Sequence, residues 1–479
     1  MDNRFPTIAK DDNAIEGTRE LFGRLAIKFG RVGSHQYQRS VNWRSRDRER
    51  EVGPRPPIHW LPDELLLEIL MMNGREDPDF GITASHIDRR FRASALGYPL
   101  LWTNIQLEGP AAQAKARAFL HRSRNLPVDV YLRYFSQKDA DVLLYVAQIN
   151  DFRRLFKEII AAAPRWRIVS FDIRDYDIMT YAARAIPHPL PLLEKIFLRC
   201  RTAPHTPTSD HVFYLFPEGP PPRLKHIDFD AVNARWERPF VRNLETIRLV
   251  RSVQCMPETV AQLFATLRAC PQLKRLQLES LNSAASSGER FKRLTLAELD
   301  ILIFWKVNPD VVSKILENVR CPSLRVLELQ LTTSRRNMAV IQALGTTAFP
   351  LPNLHMLGLG AVDYPPDIVY TVLRRLHTLK AIRVIGGSLP HALLQGLSGK
   401  LDFDGTGNLT EWLCPQLESL QIKAATNITD NDVCRAVARR YRNRQTHRIR
   451  TVWLGGCPHI SEEIIGKLEY YKASVQVVS

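Results

Sequence analysis

The stretch CPSLRVLEL, residues 321–329, carries the pattern that decides the fold. Leu324 is followed by Leu327 and Leu329, so apolar residues hold the first, fourth and sixth positions of a short run. Apolar residues at alternate positions predict a β-strand with one buried face. The same spacing recurs along the chain, in runs that begin at Trp166, Leu193, Leu224, Leu244, Leu273, Leu354, Leu379, Leu417 and Ile449. A weaker copy consists of Phe291, Leu294 and Leu296.

The distance between successive copies indicates the architecture. Most copies lie from about 20 to the upper 30s of residues apart, the period of leucine-rich repeats with a helix on the outer side. Helical apolar spacing fills the stretches between copies at Glu258–Ala269, Pro309–Val319, Ile368–Leu376 and Asn431–Arg442. Since no single unit can close a core alone, several must stack. We therefore expect the α/β fold class, with residues 166–479 forming a leucine-rich-repeat solenoid of parallel inner strands and outer helices.

Three cysteines stand at the same place in their repeats. Cys270, Cys321 and Cys414 each open the sequence Cys-Pro-x-Leu, in which the leucine begins a strand copy. The proline stops the preceding helix, and a cysteine at this position behaves as a small apolar residue. Zinc sites use cysteines paired at short spacing, which these three lack. We therefore predict that the three thiols are buried rather than bound to metal.

Upstream of the repeats, HWLPDELLLEIL, residues 59–70, predicts an amphipathic helix. Pro62 suits the first turn, where backbone amides have no partner within the helix. Asp63 and Glu64 follow, and carboxylates there interact favourably with the helix dipole. The apolar stripe is broad for so short a helix and comprises Leu61, Leu65, Leu66, Ile69 and Leu70. A second predicted helix ends before Pro99; its apolar residues and those just beyond it are Ile87, Phe91, Ala95, Leu101 and Trp102.

These two helices resemble an F-box, in the form common in large fungal families. The resemblance covers residues 58–107 and rests on Leu61-Pro62 with Glu64, on the stripe that follows, and on the run from Arg89 to Trp102. Asp88 and Phe91 depart from the usual residues, and residues 73–81 predict a polar loop. The resemblance implies docking on a Skp-type adaptor, and through it on a cullin, with contacts from Leu61, Pro62, Leu65, Leu66, Ile69, Leu70, Ile87, Phe91, Pro99 and Trp102.

Composition bounds the remaining segments. Residues 1–57 are basic, and we expect them to be disordered; residues 108–165 should provide linking helices and the first strand of the array. No apolar run reaches the ~20 residues that span a bilayer, so we expect no membrane segment. Seven widely spaced cysteines, an odd number, do not suggest a disulfide framework. A reducing compartment follows, and we expect the cytosol or the nucleus.

The F-box resemblance implies a non-catalytic function. The chain would be the substrate-recognition subunit of a Skp–cullin–F-box ubiquitin ligase, with its repeats holding a target protein. The sequence lacks nucleophile elbows, paired metal histidines and a complete phosphate loop, so we expect no enzyme activity, cofactor or metal. Variable strand positions would line the concave face and contact the target, namely Arg275, Gln277, Arg325, Glu328, His355 and Gln421.

Two alternative functions stay open at this stage. One is an interaction scaffold whose F-box-like helix joins no ligase. The other is a basic nucleic-acid-binding protein, because the net charge is +16 and no acidic residue lies between Val433 and Ile460. Arg435, Arg439 and Arg442 share a helical face there, but aromatic residues are not interleaved with them as a stacking surface requires. We therefore favour a solvated outer face at this position. The sequence does not indicate an oligomeric state.

Overall fold

The strands that the repeated spacing predicts lie side by side in one parallel sheet. The computed structural model describes residues 60–135, 142–202, 215–216, 218–232, 234, 241–251, 260–280, 291–331, 337–345, 351–360, 365–387, 389–401 and 411–478. Within these residues the large sheet has fourteen strands in chain order. All elements below belong to the compact unit Leu61–Ser479. The prediction for residues 1–57 lies outside the described residues.

The strands, in chain order, are β1 Asn104–Leu107, β2 Val128–Tyr134, β3 Trp166–Ile173, β4 Lys195–Cys200, β5 His226–Asp230, β6 Thr246–Val250, β7 Arg275–Glu279, β8 Leu294–Thr295, β9 Ile301–Trp305, β10 Val319–Arg320, β11 Val326–Gln330, β12 Met356–Gly360, β13 Ala381–Ile385, β14 Lys400–Leu401, β15 Glu411–Trp412, β16 Ser419–Lys423, β17 Thr451–Gly455 and β18 Ser474–Val478. Four of these lie outside the large sheet, as the pairs β8 with β10 and β14 with β15.

The helices are α1 Asp63–Glu76, α2 Phe80–Ala84, α3 Arg89–Gly97, α4 Ala112–Arg122, α5 Val142–Ala161, α6 Tyr176–Arg184, α7 Val260–Ala269, α8 Pro309–Asn318, α9 Asn337–Gly345, α10 Pro366–Arg374, α11 Leu389–Leu397, α12 Asp430–Arg442 and α13 Ile464–Glu469. The described residues thus form an α/β protein with a large parallel sheet and helices, an arrangement compatible with a solenoid. None of the described helices is long and apolar enough to cross a membrane.

The apolar positions of the repeated spacing form the core of the sheet. Leu327 of β11 pairs with Leu302 of β9 on one side and with Leu357 of β12 on the other, and all three are buried. Burying each such side chain contributes roughly 1.5–3 kcal/mol. Alternation along a strand leaves every second side chain outside this core; in the five-residue strands these are the first, third and fifth. We call the surface made by these outward positions the strand-side face.

The structure corrects the weak copy at Phe291. Leu294 lies in β8, which pairs only with the short β10 and takes no part in the large sheet. The corresponding place in the large sheet is taken by β9. Its apolar residues Leu302 and Phe304 follow Leu299 with the same spacing. Two successive runs in this stretch fit the pattern, at residues 291–296 and 299–304. Local spacing could not distinguish them, because the choice depends on pairing with β7 and β11.

Cys270, Cys321 and Cys414 are buried, as predicted, and burial raises the pKa of the Cys321 thiol to about 12. The sheet extends further than the repeated spacing does, since β1 precedes the first copy and β18 follows the last. The polar loop predicted over residues 73–81 is wrong, because α1 continues to Glu76 and α2 begins at Phe80.

Candidate protein-docking surfaces

The first helix, α1, divides its apolar residues between two faces. Leu66 and Leu70 are completely buried, one helical turn apart. Leu65 and Ile69 are also one turn apart, but Leu65 is 47 % exposed and Ile69 is half-buried. Residues four apart share a face of a helix, so the two pairs form two neighbouring stripes. Only the Leu66 stripe is used by the protein's own core.

That core is built around Trp102. Its indole nitrogen Nε1 donates a hydrogen bond of 2.8 Å to the carbonyl oxygen of Ala95 in α3. Gly81 of α2 lies against the indole ring, where an added Cβ would come within 3.3 Å of it. Phe119 of α4 meets the ring edge to face, with 5.0 Å between ring centroids. Trp102 therefore holds α2, α3 and α4 together in one packed cluster.

Four of the residues predicted to contact the adaptor belong to this core, and this changes their assignment. Leu66, Leu70, Phe91 and Trp102 are at most 5 % exposed. In this arrangement their side chains shape the helical segment rather than touch a partner. From the sequence alone, the residues of the broad stripe could not be divided into core residues and partner contacts. Both stripes are equally apolar, and only the neighbouring helices decide which one is covered.

The remaining predicted contacts are accessible. Ile87 is 54 % exposed, Pro62 is exposed, and Leu61 and Pro99 are half-buried. The structure adds two residues that sequence reasoning missed, Met72 and Leu100, which are also exposed. Met72 continues the Leu65 stripe by one further turn, a spacing of seven residues that the sequence could have revealed. In the rest of the described unit, the exposed large apolar side chains are Phe135, Val146, Tyr181, Tyr470 and Val478.

Polar contacts hold the helical segment in place. Arg90 of α3 pairs with the Asp63 carboxylate of α1 at 2.6 Å and also donates to the carbonyl oxygen of Leu61. Asp88 accepts a hydrogen bond of 2.8 Å from the backbone nitrogen of Phe91 and so caps α3. The departure of Asp88 from the F-box pattern therefore has a local structural role. Arg90 fixes the start of α3 beside the start of α1.

The strand-side face is charged over its first strands. Arginines and aspartates of neighbouring strands pair there at nitrogen–oxygen distances of 3.9, 3.5 and 2.5 Å, in the pairs Arg133–Asp172, Arg199–Asp230 and Arg248–Asp228. A cleft of about 430 Å³ opens over β1–β5, with Tyr131, Phe197 and Asp79 in its lining. A partner bound here must match polar groups rather than cover an apolar surface.

The predicted target-contacting residues are not equally accessible. Arg275 and Gln421 hold outward positions on β7 and β16 and are half-buried. Gln277 and Glu328 also point outward, but both are only 4 % exposed, so the prediction that they offer their side chains to a target needs correction. The other two residues precede strands instead of lying within them: exposed Arg325 is paired with Asp300, and half-buried His355 precedes β12.

Glu328 takes part in a network that spans five neighbouring strands, from β9 to β16. Its Oε2 accepts a hydrogen bond of 3.1 Å from Nε1 of Trp305 in β9. Its Oε1 accepts one of 2.6 Å from Nη1 of Arg383 in β13, and Nε of Arg383 donates to Oε1 of Gln421 at 2.9 Å. Between Glu328 and Arg383 lies β12, which has Gly358 at the corresponding position. The missing side chain lets the ion pair span a whole strand.

Substitution of Gly358 by alanine is expected to lower the free energy of unfolding by about 1–3 kcal/mol, the usual cost of an overpacked site. The new Cβ would lie 2.8 Å from Cγ of Glu328, so this side chain must shift away from Arg383. Urea unfolding measures the effect. Gly466→Ala is the matched control, because nothing lies within 4 Å of its Cβ position and it sits in α13. That change should stabilise by about 0.5–1 kcal/mol. Equal effects of the two variants would contradict the packing argument.

The described residues contain no group of three histidine, cysteine, aspartate or glutamate side chains placed to hold a metal ion. Cys200, Cys270, Cys321 and Cys414 are buried, Cys434 and Cys457 are half-buried, and burial raises the pKa of the Cys414 thiol to about 12. A thiol with so high a pKa is a poor nucleophile. The candidate sites are therefore protein-binding surfaces, namely the apolar stripe of α1 and the strand-side face.

The fold and these surfaces define a class of protein, an α/β protein with a large parallel sheet preceded by a helical segment. Comparison of the sequence with protein-family models and with curated proteins gives no match.

Proposed function

We propose that the chain is the substrate-recognition subunit of a Skp–cullin–F-box ubiquitin ligase. The helical segment docks on a Skp-type adaptor through the exposed stripe of Leu65, Ile69 and Met72, together with Ile87. The strand-side face and its cleft hold a target protein. The chain then acts by proximity: it raises the local concentration of target lysines near the ubiquitin-loaded conjugating enzyme.

One observation carries the proposal, namely that α1 keeps a second apolar stripe outside a core that is already closed. An exposed apolar stripe does not stabilise a protein in water unless another molecule covers it. Clustered exposed apolar residues therefore mark interaction sites. The exposed stripe falls on the same short segment that resembles an F-box. This segment includes Leu61, Pro62 and Leu65, which the resemblance assigns to the adaptor contact.

Replacing Leu65 by lysine is expected to weaken adaptor binding about a hundredfold. Removing one buried leucine from an interface costs roughly 1.5–3 kcal/mol, and burying an ammonium group adds to that cost. The measurement is the Kd of the full-length chain for the purified adaptor. Val146→Lys is the matched control, because Val146 is 48 % exposed on α5, close to the 47 % of Leu65. This control should bind within twofold of the wild type.

The control also guards against unfolding as an explanation, since both positions are exposed and both variants should unfold at the same urea concentration. Adaptor binding that is unchanged in the Leu65→Lys and Ile87→Lys variants would refute the docking surface.

A second measurement separates the ligase function from the scaffold alternative. The complex of this chain with the adaptor is mixed with a cullin, and co-elution in size-exclusion chromatography is followed. A ligase subunit should bring the cullin into the complex. Adaptor binding without cullin recruitment would instead identify an interaction scaffold.

A further inference from the structure

The exposed arginines near the C-terminal end of the described sheet differ from those of the strand-side face. On that face, arginines such as Arg248 and Arg383 are paired with carboxylates. Among the described residues, no ion-pair partner is found for the exposed residues Arg435, Arg439, Arg442, Arg444 and Arg448. These side chains therefore keep their full charge available for an anionic ligand.

The geometry of α12 arranges three of these charges in a row. Arg435, Arg439 and Arg442 follow one another by four and three residues, so they lie on one face about one helical turn apart. The opposite face of α12 is buried in the core through Val433 and Val437. The arginines consequently form a row along the helix rather than a pocket that converges on one point.

Arg440 does not belong to this row. It lies in the same helix, but its side chain is completely buried. Its Nη1 and Nη2 donate hydrogen bonds of 3.0 and 2.6 Å to the carbonyl oxygens of Leu413 and Cys414. Burial lowers the pKa of its guanidinium to about 10. Arg440 thus has a structural role, and the arginines available to a ligand are those on the outer side of α12.

An aromatic cluster begins at Tyr441, which directly precedes Arg442, the last arginine of the row. The guanidinium of Arg448 lies over the ring of Tyr441, 4.5 Å from its centroid. Tyr441 contacts Tyr471 edge to face at 5.6 Å, and Tyr471 contacts Tyr470 at 5.1 Å. Tyr470 is 77 % exposed, so much of its ring is free of protein contacts. Tyr441 lies among the arginines in the sequence, next to Arg442, but Tyr470 and Tyr471 come much later, and only the folded chain brings them to Tyr441.

We infer that this surface, formed by the arginine row and the tyrosine cluster, binds single-stranded nucleic acid. Such ligands need a basic track for their phosphates and exposed aromatic rings on which bases stack, and both are present here. A phosphorylated peptide would favour arginines that converge on one phosphate, which the row does not provide. The inference is independent of adaptor docking, because α1–α3 precede β1 at the other end of the sheet.

The test uses the full-length chain and labelled single-stranded RNA and DNA oligonucleotides of about 20 nucleotides, longer than one typical binding site. Fluorescence anisotropy gives Kd between about 50 and 200 mM salt. The variant with Arg435, Arg439 and Arg442 all changed to glutamine should lose three phosphate contacts. Wild-type binding should then weaken about 20-fold more than variant binding over this salt range, because each contact contributes a slope of about 0.7.

The matched control changes Arg223, Arg242 and Arg320 to glutamine, three exposed arginines that also lack an ion-pair partner among the described residues. It removes the same net charge and should bind like the wild type. Tyr470→Ser should weaken binding at least about fivefold through lost stacking, whereas Tyr470→Phe should retain it. Neither change should alter unfolding in urea.

Three results would overturn the inference. The first is an unchanged Kd and salt slope in the triple arginine variant. The second is polyglutamate competing as well as RNA while Tyr470→Ser has no effect, which would indicate an acidic polypeptide as the ligand. The third is retention on phosphatidylserine vesicles that neither oligonucleotide displaces, which would indicate a membrane surface.

Discussion

Replacement of Trp102 by alanine should lower the free energy of unfolding by about 3–5 kcal/mol, the range for a fully buried aromatic residue. The indole contacts three helices, and its loss leaves a cavity and an unpaired carbonyl oxygen at Ala95. Equilibrium unfolding in urea, followed by tryptophan fluorescence and by circular dichroism, measures the change. Met72→Ala is the control: Met72 is exposed, and the substitution should cost less than about 0.5 kcal/mol.

The same variant distinguishes residues that support the fold of the helical segment from residues that contact the adaptor. Trp102→Ala should weaken adaptor binding only to the extent that α1–α3 lose their packing. Leu65→Lys, in contrast, should weaken it with no loss of stability. A Trp102→Ala protein as stable as the wild type would show that the helices do not depend on this core. The proposed docking surface would then lack the rigid support that the structure gives it.

Replacement of Arg383 by methionine should destabilise the protein by about 3 kcal/mol. The change removes the cation but leaves the carboxylate of Glu328 buried, with only the Trp305 hydrogen bond remaining. Removing one partner of a buried ion pair costs about 3–5 kcal/mol, and partial exposure of Arg383 places the effect at the lower end. Arg325→Met is the matched control, because its pair with Asp300 is exposed and should contribute less than about 1 kcal/mol.

A double substitution tests the cause of this effect. When Glu328→Gln is combined with Arg383→Met, no unpaired charge remains, so at least half of the lost stability should return. If the double variant is less stable than Arg383→Met alone, the cost does not come from an isolated carboxylate. Packing across Gly358 would then be the explanation to pursue. Urea unfolding of the wild type, the two single variants and the double variant completes this double-mutant cycle.

Prediction from sequence succeeded where the signal is local. The strand at Leu324 could be located because a buried strand face requires apolar residues at alternate positions within six residues. The buried position of Cys321 followed from the same register. The prediction was wrong at Phe291, where two runs offered the same local pattern. Pairing partners for β9, which lie outside the run itself, made the choice.

The sequence by itself determined where most strands and helices lie and which residues are apolar, because these depend on spacing over a few residues. Only the tertiary structure decided which stripe of α1 is covered, since the covering residues, such as Phe91 and Trp102, lie further along the chain. It also decided which charges are paired, because partners such as Glu328 and Arg383 are 55 residues apart. Exposure and pairing depend on distant neighbours, and these are the properties that make a surface able to bind.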